Sequence, residues 1–168
     1  MTTSSDKLTF SIIIPVWPED KRPFGLDYID MLEFPKDRYE VICARGFSPC
    51  KQRNEASKIA KGDVLIFFDD DSCPEPDYLT RLEELYKDKQ IQGVGGPNPG
   101  LKTDEYIPNL VEAVFHSPIA VLSKTRRYKP TGKLRQAGDS DLIFCNFSIR
   151  RELYLELNGL DERLCPNE

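Results

Sequence analysis

Asp69, Asp70 and Asp71 stand in a row directly after the apolar run Val64–Phe68. Asp69 and Asp71 are two residues apart, so in an extended segment their side chains leave the same face. Three adjacent carboxylates with no basic neighbour repel one another, by about 1 kcal/mol per pair at about 4 Å even in bulk water. Two readings account for the crowding. One is a hard divalent cation: magnesium and manganese accept one or two carboxylates and complete their shells with waters and phosphate oxygens. The other is a solvated turn, in which Asp71 or Ser72 leads the chain towards the next helix.

The elements that must hold this triplet alternate between strand and helix signals. Leu8–Val16 is nearly continuous in apolar residues, as a strand covered on both faces should be. Tyr39–Ala44 and Asp63–Phe68 read as further buried strands, and Ile91–Gly96 and Leu142–Ile149 as the remaining two. Phe24–Phe34 is a short helical segment. Ser48 offers an N-cap and Pro49 a first-turn proline for a helix running to Ala60, closed by Gly62. Pro76 and Asp77 start a helix with Leu79, Leu82 and Leu85 on one face; Asp104–Leu122 reads as another, with Leu110, Val111, Val114 and Phe115 as its inner stripe. Ser123–Asp141 is a polar, basic loop, and Arg150–Asn158 a last short helix stopped by Gly159. Such alternation predicts a mainly parallel sheet between helical layers. Ligands gather at the carboxyl ends of strands in these sheets, and the triplet sits at one such end.

Composition narrows the classes. The chain has 168 residues, 39% of them hydrophobic and 30% charged, so it carries enough apolar material for one folded domain. A net charge of −5 argues against a nucleic-acid binder. The longest apolar runs fall well short of the roughly 20 residues that cross a bilayer, and Met1–Lys7 lacks a signal-peptide layout. Cytoplasm is the expected compartment, with the inner membrane face as a peripheral site. Five cysteines without a C-x-x-C pair are expected to be buried free thiols rather than zinc ligands or a disulfide frame. The single histidine, His116, reads as a structural residue at a helix end.

The ordered set Pro15-Val16, Arg53-Asn54, Gly62-Asp63, Phe68-Asp69-Asp70-Asp71, Asn146-Phe-Ser-Ile-Arg-Arg151 and Gly159-Leu-Asp-Glu162 resembles the family 2 glycosyltransferases over most of the chain. The resemblance implies the GT-A fold, a Rossmann-like α/β three-layer sandwich with a mainly parallel central sheet, and residues 1–168 as one domain incomplete at its C-terminus. It also implies inverting transfer of a sugar from a nucleotide diphosphate sugar to an acceptor hydroxyl, with Mn2+ or Mg2+ as cofactor. Asp69 matches the first residue of the D-x-D motif, which contacts the ribose, and Asp71 the last, which holds the metal. Asp70 lies between them in the same nucleotide-sugar site. Pro15, Val16 and Glu19 match the end of the first strand, which lines the nucleotide pocket. Arg53 matches an arginine near base and ribose, and Asn146 the strand bordering the donor sugar. The acceptor implied is a glycan or a lipid-linked molecule of cell-envelope polysaccharide synthesis, and a homodimer is compatible with an uncovered sheet edge.

Two departures from the family pattern bear on function. Glu168 matches the glutamate of the Glu-Asp pair that supplies the catalytic base, and the expected aspartate is absent, so Glu168 alone stands for the catalytic position. Where family members place a base-reading aspartate after the second strand, this chain has Ala44-Arg45-Gly46; Arg45 could meet a phosphate or a different base. An inert sugar-nucleotide-binding fragment and a GT-A-like nucleotidyltransferase are the alternatives. Gly93-Val-Gly-Gly96 lacks the ending of a phosphate loop and reads as a tight strand end. Arg126, Arg127, Lys129, Lys133 and Arg135 read either as a solvated loop or as a grip on an anionic ligand. Trp17 either stacks on a nucleotide or sugar, or simply packs.

Overall fold

The structure, a computed structural model, describes residues 7–99, 106–117, 127–129, 132–138 and 141–163. They form two compact units: one runs to Val94 and resumes at Ser148, and the other is Gly95–Phe147. The described strands form one sheet in the order β2-β1-β3-β5-β4. Its strands are β1 (Phe10–Val16), β2 (Tyr39–Arg45), β3 (Val64–Phe68), β4 (Gly93–Gly95) and β5 (Asn146–Arg150). Helices α1 (Gly25–Asp30), α2 (Pro49–Ile59), α3 (Tyr78–Tyr86), α4 (Tyr106–Phe115) and α5 (Arg151–Glu156) connect or follow them.

β1 is an interior strand, apolar on both faces and flanked by β2 and β3. It pairs in parallel with β2, from Phe10 opposite Tyr39 to Val16 opposite Arg45, and with β3, from Phe10 opposite Val64 to Ile13 opposite Phe67. Phe10, Ile12, Ile14 and Val16 point to one face, where they meet Ile66 and Phe68 of β3, Ile29 of α1 and Leu79, Leu82 and Tyr86 of α3. The opposite face carries Phe67, whose ring lies 5.1 Å from that of Tyr154 in α5. Alternation along the strand thus produces helix, sheet and helix layers.

The sheet is mixed. Arg150 N donates to Gln92 O and Gly96 N to Asn146 O, so β5 runs antiparallel to β4, and Arg151 N donates to Asp63 O at the start of β3. β5 therefore runs against the other described strands. Hydrophobic periodicity reports burial but not strand direction, which the connection decides.

Other expectations shift on smaller causes. α3 buries Tyr86 rather than Leu85, since positions 79, 82 and 86 share a helical face. Ser48 occupies the N-cap of α2 with an extended backbone but makes no side-chain cap bond. Gly62 does more than close α2. A β-carbon there would stand 2.5 Å from Phe10 C and Ser11 N, so glycine is what lets the α2–β3 connection touch β1. The expected inner stripe of α4 is not inside: Leu110, Val111, Val114 and Phe115 are 37–50% exposed, although the Tyr128 ring stacks on that of Phe115 at 4.4 Å. The outer parts of the helix expected over Asp104–Leu122, and Arg126 in the basic loop, lie outside the described residues. Cys43, Cys73 and Cys145 are free thiols, as expected, but the buried Cys50 is disulfide-bonded.

β2 is anchored through one carboxylate. Ser11 Oγ donates to Glu40 Oε1 at 2.7 Å and Lys61 N donates to the same oxygen at 2.6 Å. Burial alone would raise the Glu40 carboxyl, yet these donors and the Lys61 charge hold it below its ordinary value of 4.5. A depressed folded value means that ionised Glu40 stabilises the fold above pH 4.5 and that the contribution is lost as pH falls through the folded value. Glu40→Gln is expected to flatten this part of the stability-pH curve between pH 3 and 5, followed by urea unfolding; an unchanged slope would remove the linkage.

Candidate functional site

The parallel strands β1, β2 and β3 end on the same side, and their ends converge on a cavity of about 290 Å³. Pro15, Val16 and Trp17 enter it from β1, Gly46 and Phe47 from β2, and Pro49, Gln52 and Arg53 from the first turns of α2. Asp69, Asp70 and Asp71 enter from β3. The cavity therefore has an apolar, aromatic end and an acidic end. Trp17 and Phe47 are 47% and 66% exposed, and their rings meet edge to face at 5.6 Å.

The acidic end is built around an ion pair that spacing alone did not suggest. Arg53 is only 7% exposed, and its Nη2 donates to Asp69 Oδ1 at 2.6 Å. Residues 53 and 69 are brought together because α2 packs back across β1 and places its second turn beside the end of β3. Asp69 N donates to Ser72 Oγ at 2.9 Å and Ser72 N to Asp69 O at 3.2 Å, folding the triplet into a turn. Gly25 N donates to Asp70 O at 2.7 Å, and a β-carbon on Gly25 would meet Ser72 O at 2.7 Å, so the start of α1 backs the turn at main-chain distance.

Partial burial raises the Asp69 carboxyl above its ordinary value; Arg53 opposes the rise, while Asp71 and Asp70 add to it. The Asp70 carboxyl is also raised, first by burial and then by the Asp71 charge. Asp71 is exposed, and among the described residues no side chain donates to its carboxylate. Nor, among those residues, do three or more histidine, cysteine, aspartate or glutamate side chains form a cluster able to hold a metal ion unaided.

Asn54, next to Arg53, makes a second link. Its Oδ1 accepts from Tyr154 Oη and from Leu160 N, both at 2.8 Å, while its Nδ2 donates to Leu160 O at 2.9 Å and to Glu162 Oε1 at 3.0 Å. Every hydrogen-bonding position of the amide is thus used, three of them to hold the Gly159–Glu162 segment on α2 and one to hold Tyr154 of α5. These two motif pieces lie far apart in the sequence, which carries no sign that they touch. Asn54→Ala is expected to cost about 2–3 kcal/mol, because it strands a buried hydroxyl and a backbone N–H. A thermal melt within about 0.5 kcal/mol of the parent would show that water replaces the amide.

The remaining expected residues are placed as follows. Glu19 lies on the exposed turn after β1 and does not line the cavity. Arg45 is turned back on that turn: its Nη1 donates to the carbonyls of Trp17 at 3.3 Å, Pro18 at 3.2 Å and Asp20. Asn146 belongs to the second unit, where its Nδ2 donates to Pro97 O at 2.9 Å. In that unit Arg135 pairs with Asp141 at 2.8 Å, beside a smaller cavity of about 110 Å³ that Lys129 and Lys133 also line. His116 closes α4, with its Nε2 3.3 Å from Tyr128 O. Glu168 lies outside the described residues.

An α/β sheet whose carboxyl-end cavity carries an acidic turn opposite an arginine is the architecture of GT-A glycosyltransferases. The glycosyl transferase family 2 profile matches residues 26–157, and the chain belongs to that family. Among solved structures it is similar to Staphylococcus aureus TarS 1–349, with a TM-score of 0.62 and 16% identity over 94% of this chain and 51% of that one. It is similar as well to the Pyrobaculum calidifontis mannosyltransferase PcManGT solved with GDP-Man and Mn2+, with a TM-score of 0.62 and 16% identity over 93% of this chain and 48% of that one. TarS 1–349 has also been solved with UDP-GlcNAc, a likeness with a TM-score of 0.58 and 15% identity covering 90% of this chain and 48% of that one. The chain spans about half the length of these proteins. Among curated proteins, none matches the sequence. No helix among the described residues is long and apolar enough to cross a membrane.

Proposed function

We propose that the chain is the donor-binding part of an inverting, metal-dependent glycosyltransferase that moves a sugar from a nucleotide diphosphate sugar to an acceptor hydroxyl. The observation that carries this reading is the acidic turn Asp69–Asp71 at the end of β3, facing Arg53 across one cavity whose other end is aromatic. A nucleotide diphosphate has the matching layout: a flat apolar ring at one end and a polyanion, which must bring its own cation, at the other.

The donor set fits Mn2+ or Mg2+. One or two carboxylate oxygens from the turn make an incomplete shell, which pyrophosphate oxygens and water complete. A cation held by the turn would supply Lewis-acid neutralisation of the charge that develops on a departing diphosphate. Asp71, whose carboxylate is exposed and not engaged by a donor, is the residue assigned to it. Asp69, fixed by Arg53, is assigned to the ribose, with Asp70 beside it and Pro15 and Val16 forming the wall. Glu19 would approach a donor only from the rim. Asn146 is assigned to the donor sugar.

Inversion requires the acceptor hydroxyl to attack the anomeric carbon opposite the leaving oxygen while a carboxylate takes its proton. Family likeness gives that proton to the aspartate of a Glu-Asp pair whose glutamate Glu168 matches, and Glu168 is the residue of this chain proposed at the catalytic position. The acceptor class (glycan or lipid-linked) and a cytoplasmic setting in envelope polysaccharide synthesis rest on the same likeness. The solved relatives holding UDP-GlcNAc, or GDP-Man and Mn2+, support a nucleotide-sugar donor.

Calorimetry of the chain with UDP-GlcNAc and GDP-Man, with and without Mn2+, tests the reading. Binding that requires the ion is the expected result. A folded sample that binds neither donor at millimolar concentration would overturn it.

A further inference from the structure

Among the described residues, the side-chain donors at the aromatic end of the cavity are spent on the backbone. Gly46 N donates to Val16 O at 3.1 Å. Gln52 Nε2 donates to the same carbonyl at 3.0 Å and to Ala44 O, so both amide hydrogens are spent on the backbone. The Arg45 guanidinium, the nearest cation at the end of β2, is spent on the carbonyls of Trp17, Pro18 and Asp20. The polar donors at this end are thus engaged with one another and hold the ends of β1 and β2 together. What faces the cavity here is mostly ring and apolar surface, from Trp17, Phe47, Pro15 and Pro49, together with Gly46 and the Gln52 amide whose hydrogens are already spent.

From this we infer that the site selects its donor by stacking and not by the hydrogen-bonding edge of the base, so that it accepts purine and pyrimidine diphosphates alike. The inference rests on the donor-binding reading above and deepens it. Stacking is tolerant because every base has a π-face. Edge recognition is not, since a site built to hydrogen-bond a group rejects an analogue lacking it by roughly 10^4-fold or more. Arg45 is then a positioning residue. Three carbonyls of the turn 17–20 share its guanidinium, and that turn carries the Trp17 ring.

Trp17 is the single tryptophan of the chain, so its emission reports this end of the cavity alone. The test titrates the whole chain with UDP, CDP, ADP and GDP at fixed Mn2+, and with pyrophosphate as a ligand that has no base. All four nucleotides are expected to quench Trp17, with dissociation constants within about tenfold of one another, while pyrophosphate binds without quenching. One base held more than about 100-fold tighter than the rest would overturn the tolerance and leave the donor-binding reading standing. Pyrophosphate binding with no gain from any base would overturn the stacking end alone. Failure of every ligand, pyrophosphate included, would remove both readings.

Arg45→Met is expected to weaken all four nucleotides by a similar factor, about three- to tenfold, and to reduce the quench, with pyrophosphate affinity unchanged. Arg45→Lys, which keeps a donor for the carbonyls, is expected to restore part of the quench. Selective loss of one base in Arg45→Met would show that the guanidinium touches the base, and the positioning role would fall.

Discussion

Asp71→Asn is expected to reduce Mn2+-dependent affinity for UDP-GlcNAc or GDP-Man about 100-fold, close to 2.7 kcal/mol, while leaving the fold intact. The substitution keeps shape and removes one formal charge from the position proposed to hold the cation. Among the described residues nothing donates to this carboxylate, so no structural bond is lost with it. The crowded neighbours Asp69 and Asp70, both raised partly by the Asp71 charge, should ionise more readily, and the metal-free variant should melt at the same temperature or slightly higher. Binding and stability then move in different directions, which separates a lost ligand from a lost fold. Asp69→Asn should behave differently: it also releases Arg53 from its 2.6 Å partner and is expected to melt lower. If Asp71→Asn binds donor and Mn2+ as the parent does, the cation sits elsewhere and the assignment of Asp71 fails.

Gly62→Ala is expected to be the most damaging single methyl in the first unit, at about 3 kcal/mol and a melting temperature lower by about 10 °C. Its β-carbon would stand 2.5 Å from the main chain of Phe10 and Ser11 and 2.8 Å from Ser11 Oγ, which accepts from Gly62 N at 2.8 Å. Those atoms belong to β1, hydrogen-bonded on both sides by β2 and β3, and cannot give way as the end of a flexible side chain would. Gly138→Ala is the matched control, because a β-carbon there meets nothing within 4 Å. Equal melts for the two variants would mean that the α2–β3 connection shifts freely on β1.

The strands were easiest to read from the amino acids. Phe10–Val16 and Val64–Phe68 are apolar enough that burial on both faces follows, and the acids after Phe68 mark where burial stops. Membership of the family, and the sheet type it brings, came from motif order. What remained hidden depended on distance in the chain. Nothing local to Arg53 points sixteen residues on to Asp69, and nothing local to Asn54 points to Leu160 and Glu162. Arg45 has the right charge for a phosphate, yet three carbonyls of its own fold reach it first. The direction of β5 was illegible for another reason, since an apolar strand looks the same read either way. The α4 stripe shows the converse limit: periodicity gives a face, but what covers that face is a separate fact.

The close approach of Gly25 to the turn after β3 bears on protein engineering. Three acids transplanted by sequence alone onto another scaffold would lack the wall that shapes them, because that wall is the main chain at the start of α1, within 2.7 Å of Asp70 O. A portable version must carry both segments, and its fidelity could be judged by whether a methyl at position 25 is as ruinous in the graft as in the parent.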